Sequence, residues 1–315
     1  MPNLNGYIFL IINPKSGASS RKHLVKCLQN YFQQSGCRMK TFLTQSLTHA
    51  CELARQAAVD YDCSLVAAAG GDGTIREVIH GLEGSDKPLL IIPSGTENLL
   101  ANELGFDLQP QTLIKTYEAW QLRPLDLGTI NGKCFTSICG FGFDGDVIHR
   151  IHSWRTGHIS HLDYFWPIWR CFWSHTFPPM RVTIDGQECF SGRGLVFVGN
   201  ISRYAIGLQI CKHAQYGDGK LDLCIYKCRH QAHLLKHAVA TIFKMHTRGK
   251  DVLYKQGTVI TVESLAKEPI YCQIDGDPGP EPPAEIKLIP QAINVLVPPG
   301  TKPAGIRTRL RRMIG

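Results

Sequence analysis

Over the first roughly 120 residues, short apolar runs alternate with stretches whose apolar positions recur near every 3.6 residues. That alternation is the signature of βαβ units feeding a parallel sheet. Tyr7–Ile12, Arg38–Leu43, Ser64–Ala69 and Leu89–Ile92 are the predicted strands. His23–Gln34, Leu47–Asp60, Thr74–Gly81 and Asn98–Leu104 are the predicted helices. From Pro124 the pattern becomes β-rich. Leu125–Ile130, Asn131-Gly132 and Lys133–Ile138 read as a hairpin, because Asn and Gly tolerate the positive φ of a tight type I′ turn. A second hairpin turns at Asp185-Gly186, after Arg181–Ile184. Further strands are predicted at Leu195–Val198, Leu221–Tyr226, Val259–Val262, Ile270–Ile274 and Glu285–Ile289, with a helix near Gln231–Met245.

The predicted organisation is therefore an α/β domain with a parallel sheet over residues 1–124, to which about 291–315 returns, and a β-rich, sandwich-like domain over 125–290. With 315 residues, 43% of them apolar, the chain can bury a sizeable core. No run approaches the ~18 to 20 consecutive apolar residues of a membrane-spanning helix. Tyr7–Ile12 is too short for a secretory signal and lacks its flanking features. The twelve cysteines form no CxxC pair, so reduced thiols in a soluble, cytoplasmic protein are expected. The net charge of +8 favours an anionic partner. Without an RNA-binding or helix-turn-helix signature, nucleic acid ranks below a membrane surface.

Candidate chemistry concentrates at predicted strand ends. Gly70-Gly71-Asp72-Gly73-Thr74 follows an apolar run and precedes a helical pattern. Glycines there admit phosphate close to the backbone, and a helix N-terminus offers unpaired N–H groups and the positive end of its dipole. The motif is neither GxGxxG nor a Walker A loop. Asn13-Pro14-Lys15-Ser16-Gly17 and Pro93-Ser94-Gly95-Thr96-Glu97-Asn98 fall at equivalent ends, where open α/β sheets bind ligands. The plain alternative for each is a tight turn.

Taken in this order, the three loops resemble the diacylglycerol kinase catalytic domain, a family that includes sphingosine and ceramide kinases and bacterial lipid kinases. Gly140-Phe141-Gly142-Phe143-Asp144, Tyr216-Gly217-Asp218-Gly219-Lys220-Leu221-Asp222 and Ile274-Asp275-Gly276-Asp277 look like further family landmarks. The resemblance implies a diacylglycerol kinase-like or NAD kinase-like fold and an ATP- and Mg²⁺-dependent kinase acting on a lipid hydroxyl at a membrane surface. Diacylglycerol is the first expectation. Sphingoid bases, ceramide or phosphatidylglycerol follow, then an NAD kinase, which also carries Gly-Gly-Asp-Gly-Thr, and then a degraded homologue that only binds lipid or nucleotide.

By the same resemblance, Asn13, Pro14, Lys15, Ser16, Gly17, Thr44, Gly70, Gly71, Asp72, Gly73, Thr74 and Thr96 contact ATP, with Asp72 helping to hold the Mg²⁺-nucleotide. Gln215, Asp218 and the carbonyl of Lys220 form a structural Mg²⁺ loop. Asp275 and Asp277 stand at the transfer site, one of them as general base, with Asp-Gly-Asp replacing the family's Asp-Gly-Glu. A simple Asp-Gly turn is the alternative at both loops. A second departure is Leu99 where many bacterial members have Asp; Glu97 is expected to point elsewhere on the helix and not to replace it.

Three features lie outside these motifs. His149, His152, His158 and His161 form i, i+3 pairs that could ligate a metal. Trp154, Tyr164, Phe165, Trp166, Trp169, Phe172 and Trp173, with Arg155 and Arg170, fit either core packing or a lipid-facing edge. Ile306, Leu310, Met313 and Ile314 among Arg307, Arg309, Arg311 and Arg312 suggest a short basic amphipathic helix suited to an anionic membrane.

Overall fold

The structure, a computed structural model, describes residues 6–16, 19–153 and 165–301. These divide into two units. Unit 1 holds the residues up to Leu127, the segment Tyr216–Asp218 and the chain from Pro290 on. Unit 2 holds Gly128–Gln215 and Gly219–Ile289. Gly17, Trp154, Arg155, His158, His161, Tyr164 and the basic C-terminal stretch from Lys302 lie outside the described residues.

Unit 1 is the α/β fold that the alternation dictates. β1 (Tyr7–Ile12), β2 (Met39–Leu43), β3 (Cys63–Gly70) and β4 (Leu89–Pro93) pair in parallel in the order β2-β1-β3-β4. The C-terminal half of the chain's last strand adds in parallel beside β4, with Val295 opposite Leu89. α1 (Ser19–Gln34), α2 (Leu47–Val59), α3 (Asp72–Leu82), α4 (Leu99–Glu103) and α5 (Pro110–Ala119) connect or follow these strands. α2 packs against α3, and α1 against α5. β3 and β4 are almost wholly buried, which is why they read as unbroken apolar runs. The sequence pattern did not predict α5. It buries only Leu113, Thr116 and Tyr117, although Pro110 at its first position is a recognised start signal.

Unit 2 is built from antiparallel pairs. β5 (Leu122–Ile130) ends in this unit, where Gly128 opposes Phe135 of β6 (Lys133–Phe135). The remaining strands are β7 (Ile138–Phe141), β8 (Pro179–Ile184), β9 (Gln187–Gly199), β10 (Leu221–Lys227), β11 (Val252–Gly257), β12 (Val259–Ser264), β13 (Cys272–Ile274), β14 (Asp277–Pro278) and β15 (Ala284–Leu296). β9 makes the sandwich. Its first half pairs with β8, and its second half pairs with β7 on one edge and β10 on the other.

Strand alternation then fills two cores from one sheet. Val196, Val198, Leu221, Leu223 and Ile225 join the cluster between the sheets, with Val182 and Ile260. Leu195, Phe197, Cys224 and Tyr226 point the other way and pack with Ile210 and Leu234. Leu234 belongs to α8 (Gln231–Ile242); the other helices of this unit, α6 (Phe143–Ser153) and α7 (Phe165–Ser174), were not predicted.

Three Asx-Gly pairs have the consecutive positive φ of type I′ turns: 46° and 81° at Asn131-Gly132, 46° and 82° at Asp185-Gly186, 50° and 84° at Asp275-Gly276. The predicted strand Lys133–Ile138 is instead two strands with a corner at Thr136-Ser137. Asp275 supplies the reason. Its carboxylate accepts the N–H groups of Thr136 (2.8 Å), Ser137 (2.9 Å) and Ile138 (3.0 Å), which frees that backbone from a continuous ladder.

Candidate active site

In unit 1 the loops after β1, β3 and β4 are tied to one another. Asn13 follows β1; its N–H donates to Ala69 O and its Nδ2 donates to Thr74 Oγ1 at 2.8 Å. Its Oδ1 accepts the Lys15 N–H, while the Ser16 hydroxyl donates to Asn13 O and lies 3.1 Å from the Ser94 hydroxyl. The Ser94 N–H donates to Gly70 O. Pro14 and Lys15 are exposed at the loop tip, and Thr44, at the end of β2, is buried with its N–H on Ile12 O.

The glycine loop departs from the sequence reading in one respect. α3 starts at Asp72, so Asp72 and Gly73 form its first turn and do not belong to a preceding loop; Gly71 is the N-cap. The contrast with α2 is informative. There the Ser46 side chain accepts the His49 N–H, whereas α3 has a cap with no side chain to cover its first-turn N–H groups. A helix start of that kind suits a phosphate. Space also favours glycine: a Cβ on Gly70 would stand 2.4 Å from Thr74 Cβ, a clash, and one on Gly71 would stand 3.1 Å from Gly95 Cα, tight enough that Gly95 would have to give way.

Thr96 and Glu97 lie in the loop ahead of α4, so Glu97 is not a helix residue as expected. Asn98 caps α4 at φ 48° and folds its side chain back on Gly95, accepting from the Gly95 N–H at 2.7 Å and donating to Gly95 O at 2.9 Å. Leu99 opens α4.

Gln215, Asp218 and Lys220 occupy the turn segment leading into β10, with Gly219 at φ 73°. Asp277 is half-buried on β14. Asp275 occupies a hairpin turn and, besides the three N–H groups above, accepts from the Thr136 hydroxyl at 3.2 Å. Its oxygens hold the β6–β7 corner.

One group in unit 2 received no role from sequence reasoning, although its motif was noticed. Asp144, in the first turn of α6, is half-buried with its Oδ2 shut off from solvent; burial pushes its carboxyl up to about 6, against the hydrogen bond from the Tyr204 hydroxyl. Two residues on, Asp146 Oδ2 lies 2.6 Å from Nδ1 of the buried His175. A buried acid with a raised pKa is a mark of functional sites and was invisible before folding. Elsewhere, His149 stacks on Tyr271 at 4.0 Å, and among the described residues neither it nor His152 belongs to a metal-ligating triplet. All twelve cysteines are free thiols. No described helix is long and apolar enough to cross a membrane.

The chain thus joins an α/β unit, whose helix α3 has an open glycine cap, to a β-sandwich unit, and this two-part plan is matched among known proteins. Residues 7–130 match the family model of the diacylglycerol kinase catalytic domain, and residues 137–297 match that of the YegS C-terminal NAD kinase beta sandwich-like domain. The chain is 29% identical to a diacylglycerol kinase of Bacillus subtilis (strain 168), over 92% of this chain and 95% of that one. It is 32% identical to a diacylglycerol kinase of Mycobacterium tuberculosis (strain CDC 1551 / Oshkosh), over 77% and 79% respectively. A crystal structure of a diacylglycerol kinase from Bacillus anthracis shares the fold with a TM-score of 0.68, at 20% identity, covering 94% of this chain and 98% of that one. The chain belongs to the diacylglycerol kinase family.

Proposed function

We propose that this protein transfers the γ-phosphoryl group of ATP to the hydroxyl of diacylglycerol, giving phosphatidic acid and ADP. The observation that carries the reading is the glycine-capped start of α3, tied by Asn13–Thr74 and Gly71–Gly95 to the neighbouring loops. The name shared by its curated relatives supports the choice of lipid. Asn13 to Gly17, Thr44, Gly70 to Thr74 and Thr96 are assigned to ATP, whose phosphates would meet first-turn N–H groups.

Mg²⁺ would neutralise charge on the phosphates, and the residues present fit it. Asp72 offers a carboxylate at the helix start. The Asp218 turn offers hard oxygen donors with Gln215 and the Lys220 carbonyl. We assign proton acceptance to Asp277. The acceptor oxygen bonds to the γ-phosphorus as the bond to the ADP oxygen breaks, and the hydroxyl proton passes to the Asp277 carboxylate. Asp275 is less suited, because its oxygens already accept four donors from Thr136, Ser137 and Ile138.

For the aromatic stretch, exposure favours the lipid-facing reading. Trp166, Trp169 and Trp173 recur at helical spacing on α7 and all face solvent, while Cys171 is buried. Trp suits the bilayer interface, so peripheral contact with a lipid surface is part of this reading. The test is radiolabelled ATP with a panel of diacylglycerol, sphingosine, ceramide, phosphatidylglycerol and NAD, products identified by mass spectrometry. Phosphatidic acid as the main product is expected; labelled NADP or no product at all would overturn the proposal.

A further inference from the structure

Helix α8 is inside out. Its inward face, Leu234, His237 and Thr241, is mostly polar, and it is hydrogen-bonded. His237 Nε2 lies 3.1 Å from Lys227 O, and Thr241 Oγ1 donates to His237 O and lies 2.8 Å from the Tyr226 hydroxyl. Its outward face carries Leu235, Val239 and Ile242, spaced i, i+4, i+7, and these are 57%, 46% and 60% exposed. A helix on a water-facing surface normally shows the opposite arrangement.

The chain reinforces this surface where the helix stops. α8 ends in a Schellman-type cap: Lys244 has φ 56°, its N–H donates to Thr241 O, and the Met245 N–H donates to Ala240 O. That cap leaves Phe243 69% and Met245 54% exposed beside the outward face. Together with Leu235 and Val239 they line a shallow groove of about 510 Å³, with Lys236 at its edge.

Along the stretch that carries the apolar stripe the charge is mostly positive. Between residues 229 and 251, Arg229, Lys236, Lys244, Arg248 and Lys250 face a single acidic residue, Asp251, which pairs with Lys236. Lys244, Arg248 and Lys250 are exposed at the same end as Phe243 and Met245. The start of α8 adjoins the end of α7, since Gln231 Nε2 donates to His175 O, one residue beyond that helix. The stripe therefore begins beside the helix that carries the exposed tryptophans.

We infer that the outward face of α8 docks on an anionic bilayer, with Leu235, Val239, Ile242, Phe243 and Met245 entering the acyl boundary and the lysines and arginines meeting lipid phosphates. Interfacial helices combine buried apolar area with attraction to anionic headgroups, and this face offers both. The choice of a bilayer as occupant rests on the lipid-kinase reading, because a substrate dissolved in a membrane brings the enzyme to that surface. A second copy of the chain would place the cationic rims against each other, which charge disfavours.

The test is vesicle sedimentation without ATP, using the full chain and vesicles of phosphatidylglycerol mixed with phosphatidylcholine, or of phosphatidylcholine alone. The triple variant Leu235→Gln, Val239→Gln, Phe243→Gln is expected to keep its melting temperature and to lose at least about tenfold in affinity for the anionic vesicles. Lys244→Gln with Lys250→Gln is expected to lose at least about fivefold on anionic vesicles at low salt, and nothing on neutral ones. If the triple variant unfolds, the lysine pair and Phe243→Gln alone decide the matter by the same measurement. Undiminished vesicle binding by the folded variants would overturn the inference. So would a wild-type dimer in ultracentrifugation that the triple variant dissociates while still binding vesicles, which would assign the face to a second copy. Phosphorylation of detergent-dispersed short-chain diacylglycerol, measured in parallel, should be unchanged in every variant. Its absence in the wild type would count against the kinase reading, whereas the vesicle result reads the surface directly.

Discussion

Gly71 and Gly95 face each other so closely that a Cβ built on Gly95 would stand 2.4 Å from the Cα of Gly71. The obstacle is backbone, which cannot swing aside as a flexible side chain would. Gly95→Ala is therefore expected to push the β4 loop away from the start of α3 and to lower kcat/KM for ATP at least about tenfold, with a stability loss of about 1–3 kcal/mol. Steady-state kinetics with varied ATP, alongside a denaturant melt, checks both. Unchanged kinetics would show that the two loops need not touch.

Asp72 stands in the first turn of α3, half-exposed, where a carboxylate supports the helix, and it is proposed to help hold the Mg²⁺-nucleotide. Asp72→Ala should abolish transfer and cost the fold no more than about 1 kcal/mol. Wild-type turnover in a folded variant would remove Asp72 from the site.

The two aspartates of the Asp275-Gly276-Asp277 segment should separate by experiment. Asp275→Asn turns an amide toward backbone N–H groups, so a loss of about 2–4 kcal/mol in stability is expected, read as a lower melting temperature. Asp277→Asn should melt like the wild type and lose about 10² or more in kcat, with little change in KM for ATP. The reverse result would move the general base to Asp275.

Asp144 gives a pH signature. Its folded pKa of about 6 lies above the ordinary 3.8, because burial disfavours the charged form. The folded state therefore holds its proton more tightly than the unfolded chain, and stability falls as pH rises from about 3.8 to about 6. Above that window the buried charge costs on the order of 3 kcal/mol. Asp144→Asn should melt higher than the wild type at pH 7.5 and converge with it near pH 4. Equal melting temperatures at both pH values would show that the buried carboxyl carries no such penalty.

Asp218→Ala tests the proposed metal loop. The wild type is expected to melt higher with Mg²⁺ than with a chelator, and the variant is expected to lose that difference. A Mg²⁺ response of equal size in both proteins would place the ion elsewhere.

Much of unit 1 was legible in the chain. β1 was predicted at its observed bounds, and β3, β4, α2 and α3 within a residue or two, because buried parallel strands are continuous apolar runs and covered helices keep a 3.6-residue period. The glycine-rich strand-end loops were legible for a related reason: glycine at a strand end is a local requirement of the backbone. The Asn131-Gly132 and Asp185-Gly186 turns were local as well, since positive φ belongs to the dipeptide itself.

The rest depended on distant partners. The break at Thr136-Ser137 exists because Asp275, 139 residues on in the chain, takes the N–H groups of that corner. Asp144 became a perturbed acid only when folding enclosed it beneath Tyr204. α8 showed apolar residues to the sequence without showing which of them would face outward, and the tryptophans of α7 were balanced between core and surface. Sequence determined what depends on one residue and its near neighbours: strand, helix, turn and loop chemistry. Tertiary structure alone decided which groups lose water and which keep it, because burial is a property of the surroundings that the rest of the chain supplies.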